Sequence, residues 1–302
     1  MRKNLTKKLF LSVLTLAFAV ISLGASTYAW FILSEDATVK SFNGKVSAGT
    51  SGLEIAVGDV DGSDKANIKW RATELDLTAD FVNATKVTFD ALKNQAAFDG
   101  SKFTKLDGTA GTKNGNYVAF RLYFRLADTS GIPAAGEKVY LTDYDLSTEG
   151  TPGSWYVNKA YEGVTGPVGV GEAGVVYYVS DAARIAFVTA SSVATVYETE
   201  TDELKGNANF ASQGIGNKGA FSYYNAVSET DLTLPGVGEY YTAEKSLAAA
   251  KELGSLTKDA NETFVDVYVW IEGWDQECIN AIFTQQLNIA LKFSLNNTLQ
   301  EE

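Results

Sequence analysis

The chain has no histidine anywhere in its 302 residues. That removes the imidazole base, the H-E-x-x-H zinc helix and any serine triad built on histidine. It has a single cysteine, Cys278, so no intrachain disulfide can form. Without a histidine partner there is no histidine-paired thiolate, and in "IEGWDQEC" Cys278 reads as a small apolar group that packs. Basic residues are also short, with 25 Lys and Arg against 37 Asp and Glu for a net charge of −12. A chain so acidic lacks the cationic face that displaces counterions from nucleic acid, so no nucleic-acid partner is expected. Arg2, Lys3, Lys7 and Lys8 all precede residue 30, where no acid occurs; beyond them 21 basic residues face 37 acidic ones, a net −16. An acidic exterior of that kind keeps an exported protein soluble. Poverty in cysteine fits an outer space that does not depend on disulfides, as in Gram-positive bacteria.

Proline is scarce as well, at 4, while glycine (27), tyrosine (15) and phenylalanine (16) are plentiful. Many turns and many rings suit pleated surfaces. At 45% hydrophobic residues the chain can bury a core and is not compositionally disordered. Strict alternation predicts a strand over 117–126, "YVAFRLYFRL", with Val118, Phe120, Leu122, Phe124 and Leu126 on one face. The same period recurs in 264–272 and 285–295. Further strands are expected at 38–47, 52–57, 68–75, 86–89, 138–146, 175–180 and 184–189. "KSLAAAKELG" at 245–254 predicts one short surface helix stopped by Gly254, and the rest of 200–260 reads as loop. Short alternating strands with turn signals argue for an all-β, two-sheet sandwich decorated by loop insertions.

The N-terminus carries a different signal. "MRKNLTKK" is basic, residues 9–24 are apolar, and "ASTYA" supplies small residues. That order is the order of a secretory signal. Thr27 and Ala29 fit the −3 and −1 positions of a cut before Trp30, giving a signal peptide over 1–29 and a mature domain over 30–302. The alternative is an uncleaved apolar helix, since 9–33 reaches the about 20 residues that a bilayer needs.

These residues carry a resemblance. The run through "STYAWF" into "SEDATVKSFNGKVSAGTSGLEI" resembles the opening of the TasA and camelysin (CalY) family, secreted Gram-positive proteins processed by a SipW-type signal peptidase. The ending "VDVYVWIEGWDQECINAIF…LNIALKFS" is similar to that of related proteins with this type of signal. The resemblance covers about the first 60 and the last 40 residues. It implies a jelly-roll-like sandwich and, for fibre-forming members, a subunit of extracellular biofilm filaments. There the new N-terminus leaves its own subunit and completes the next one's sheet by strand addition. The donor segment here would be 30–42, with Trp30, Phe31, Ile32, Leu33, Val39 and Phe42 available to fill pockets. The partner is then another copy, head to tail, and the membrane is touched only through the N-terminal segment before cleavage. The competing reading folds 30–42 within its own subunit as a first strand.

Some relatives are described as metalloproteases, a chemistry that a histidine-free chain cannot supply in the usual way. No catalytic residues and no cofactor are therefore expected. Calcium remains possible at "DVDGSD", where Asp59, Asp61 and Asp64 alternate around Gly62. The complete calcium-loop pattern is absent, and an Asp-Gly hairpin turn explains the same residues. Glu272, Asp275 and Glu277 read as a solvated turn beside two tryptophans rather than as a glycosidase pair. A surface module that binds a glycan or host ligand would use aromatics such as Trp155, Tyr156, Tyr177 and Tyr178.

Overall fold

The computed structural model describes residues 42–299 apart from 49–51, 82–90, 94–102, 106–108, 131, 150–156, 164–165, 172–177, 193, 200–219, 229–242, 245, 274, 276–277, 279–281 and 283–284. In chain order the elements are β1 (Phe42–Ala48), β2 (Leu53–Gly58), β3 (Glu74–Asp76), α1 (Leu77–Asp80), β4 (Ala91–Lys93), β5 (Thr104–Lys105), β6 (Val118–Leu126) and β7 (Glu137–Glu149). They continue as β8 (Tyr161–Glu162), β9 (Pro167–Val168), α2 (Val179–Ala182), β10 (Ala183–Thr189), β11 (Ala194–Tyr197), α3 (Ala220–Ser228), β12 (Lys251–Leu256), β13 (Thr263–Glu272) and β14 (Gln286–Ser294). The protein is mostly β, and two sheets share its main core.

The first sheet runs β12-β7-β14-β1-β3. β14 lies antiparallel to β7, while β1 lies parallel to β14, with Phe42 opposite Leu287 and Ala48 opposite Phe293. In the second sheet β13 is central, flanked by β10 and then β11 on one side. Its other side takes β6 along Thr263–Val269 and β4 along Ile271–Glu272, with β2 beyond β6.

Alternation sets which faces meet. Val118, Phe120, Leu122 and Phe124 of β6, Val265, Val267 and Val269 of β13, and Leu287, Ile289, Leu291 and Phe293 of β14 are all buried in one cluster. Phe124 and Phe293 meet edge to face across the two sheets, with ring centroids 4.8 Å apart. In β7 the spacing of buried leucines from Leu141 to Leu146 breaks the period of two. A bulge explains it. Phe293 faces Leu141 and Lys292 faces Asp143, which leaves Thr142 as the extra residue. Its hydroxyl donates to the Lys292 carbonyl at 3.2 Å, so the displaced polar group is satisfied.

Three expectations are corrected. Residues 251–256 form strand β12, not the end of a helix. Leu253 and Leu256 are three apart, a helical spacing, yet both are buried because the β12–β7 register shifts between Glu252 and Gly254. Residues Val179 and Ser180, expected to end a strand, instead open the turn α2. Within the stretch read as loop, Ala220–Ser228 forms α3, whose Tyr223 packs edge to face on Tyr161 at 5.4 Å and donates a hydrogen bond to Asn158 at 3.0 Å.

Gly254 supplies a test of the bulge. A Cβ placed there would fall on Thr263 Oγ1 and come within 3.1 Å of its Cγ2. Gly254→Val is expected to destabilise the fold by about 1–3 kcal/mol, the usual range for forcing atoms into occupied space. The urea midpoint measures it, and an unchanged midpoint would show that β12 does not bulge onto Thr263.

Candidate functional site

Of the segment 30–42 expected to leave the domain, Phe42 alone is described, and it is paired within its own sheet, which confines the donor to residues 30–41. Thr27, Ala29, Trp30, Phe31, Ile32, Leu33 and Val39 lie outside the described residues. Phe42 is the first residue of β1 and stands in register with Leu287, the second residue of β14. On the other side of β1, antiparallel β3 pairs only with Lys45, Val46 and Ser47. Beyond Asp76 that neighbour turns into α1 and stops offering strand partners. Both described neighbours of β1 therefore end near Phe42.

The aspartate loop leads from β2 into a 3-10 turn at Lys65–Asn67, and the chain returns antiparallel to β2 only at Arg71, which exchanges both backbone hydrogen bonds with Ile55 at 2.8 Å, so the connection is longer than a tight Asp-Gly turn. Gly62 takes a φ of +70°, which a side chain there would strain, and its amide donates to the Asp59 carbonyl at 2.8 Å. The carboxylates are engaged. Asp64 accepts the Asp59 amide at 2.8 Å, Asp61 accepts the Ser63 amide at 2.9 Å, and Asp59 Oδ1 accepts the Lys113 ammonium at 2.5 Å. Lys113 also stands 3.7 Å from Asp61. Its ammonium thus lies against two of the three acids, Asp59 and Asp61. The Ser63 hydrogen bonds hold the Asp61 carboxyl below its usual value. Burial pulls the Lys113 pKa down, but the hydrogen bond and charge of Asp59 outweigh it, and the net direction is up.

That direction fixes a prediction. A lysine raised in the folded state contributes fully below its unfolded value of 10.5, and the contribution disappears as pH rises through the folded value. Lys113 is partly exposed, so screening limits its pair with Asp59 to no more than about 1 kcal/mol. Lys113→Ala should lower stability by that amount at pH 7 and converge on the parent protein as pH rises through the raised folded-state value. Thermal melts across pH read both; a difference that persists undiminished in alkali would mean that packing, not charge, was lost.

The acidic turn after β13 is where the structure departs most from the sequence reading. Glu272 and Asp275 are buried, not solvated; Glu277 lies outside the described residues. They gather with Glu198 around Arg184 on the outer face of the second sheet. Arg184 pairs across the ladder with Trp270, whose indole donates to Glu272 at 3.1 Å. The guanidinium donates to Asp275 Oδ2 at 2.6 Å and to the carbonyls of Asp181 and Ala183 at 3.2 and 3.0 Å. Glu198 Oε2 lies 2.8 Å from Arg184 Nη2. Among the described residues neither Glu198 oxygen accepts a hydrogen bond, so this contact is an ion pair. Burial opposes the guanidinium charge, and Glu198, Asp275 and Glu272 overcome it, holding Arg184 above the ordinary arginine value. One sequence signal points here: in "DAARIAFVTA" a single arginine opens an otherwise apolar strand.

Toward β6 and β2 that outer face carries paired charges stacked on rings. Arg121 chelates Asp266 at 2.6 and 2.9 Å and lies 3.9 Å over the Phe264 ring. Arg125 bonds Glu54 at 2.6 Å and lies 4.2 Å over Trp70. These ring faces are covered by guanidinium groups. Among the aromatics expected to hold a ligand, Tyr178 is 42% exposed, and Trp155, Tyr156 and Tyr177 lie outside the described residues. Cys278 is half-buried and packs against the main core.

Compared with family models, curated proteins and solved structures, this chain finds no match.

Proposed function

We propose that this protein is a non-catalytic structural subunit of an extracellular filament. The exported chain, cut by a signal peptidase before Trp30, would polymerise head to tail by lending residues 30–41 to the next copy's sheet. A jelly-roll-like sandwich of Gram-positive cell-surface type belongs to the same proposal. The observation that carries it is the ending of β1's partners. A strand continued from Phe42 toward the N-terminus meets one more residue of β14, Gln286, and no described residue of β3. A strand prolonged in that direction would run past the described partners in its own sheet, leaving backbone groups open to pairing with another chain. A second copy supplies them, and a head-to-tail contact that does not close produces a filament. The resemblance in "STYAWF" and the residues after it supports the same reading.

The test is mature protein lacking residues 30–41. It is expected to keep the melting transition of the parent and to remain monomeric in light scattering, while the parent forms filaments visible by electron microscopy. Filaments from the shortened protein would overturn the proposal. So would native filament protein whose mass shows Met1 as its first residue.

A further inference from the structure

We draw no further inference here: the strongest candidate, the buried side-chain cluster of Arg184, Glu198, Glu272 and Asp275 on the outer face of the second sheet, is an acidic group already met by its own arginine, and nothing in the structure shows a ligand that it would take.

Discussion

Arg184→Ala is expected to cost about 3–5 kcal/mol of folding free energy, the range for removing one partner from a buried ion pair. The reason is what stays behind. Glu198 and Asp275 are fully buried, and Arg184 is the cation within ion-pair distance of both. Without it, buried carboxylates face each other across a low-dielectric space. The loss would not measure the strength of the ion pairs, because their formation already costs the desolvation of every member. A companion variant separates the two. Replacing Arg184, Glu198 and Asp275 together by Met, Leu and Leu removes the ion-paired charges, leaves Glu272 on the Trp270 indole, and should recover much of the stability. Denaturant unfolding of both proteins decides it. An Arg184→Ala protein within 1 kcal/mol or so of its parent would mean that the cluster is hydrated; a triple variant no better than the single one would mean that its hydrogen bonds to Asp181 and Ala183 mattered more than charge.

This cluster also marks the limit of what could be read from the chain. Alternation identified β6, β13 and β14 because each presents an uninterrupted apolar face to the shared core. It said nothing of the opposite face. There Phe103, Tyr117, Ala119, Ala186, Val196, Ala243 and Trp270 form a second buried group, drawn from segments remote in sequence. Trp270 and Glu272 occupy positions that alternate outward, and they are buried by that second group and by Arg184, a non-local event without a local pattern. Arg184 and Asp275 are 91 residues apart. The helix expected at 245–254 failed for a related reason. Alanine, lysine and glutamate favour a helix, but Leu253 and Leu256 gain more by burial beside β7, and a bulge with Leu253 as the extra residue lets both point inward. Conversely α3 was hidden in a polar stretch, because its stability comes from Tyr223 packing on Tyr161, Val157 and Val168, not from its own sequence. For the proposed site, the resemblance suggested a donor segment, whereas the structure added the place where the described strand partners of β1 end.

Phe124→Ala is expected to destabilise the protein by about 3–5 kcal/mol, as for other buried phenylalanines. Phe124 lies wholly inside, opposite Ile55 on β2 and Thr263 on β13, and its ring meets Phe293 of the first sheet. Truncation opens a cavity at the point where the two sheets touch. Part of the loss should be specific to the ring pair. A double-mutant cycle with Phe293→Ala should return a coupling of about 0.5–1.5 kcal/mol. The decisive comparison is Phe264→Ala. Phe264 stands on the other face of the same sheet, stacked under Arg121, half-exposed. Its truncation should cost only about 1 kcal/mol, since a cation–ring contact near the surface contributes little more. β6 and β13 are in register through Phe124 opposite Thr263 and Tyr123 opposite Phe264. A slip of one residue in β6 would turn Phe124 outward and a slip in β13 would turn Phe264 inward, and either would erase the difference between the two phenylalanines. Chemical denaturation of the pair therefore tests the register of the central strands. Equal losses, or a larger loss at Phe264, would put the core on the wrong side of the second sheet.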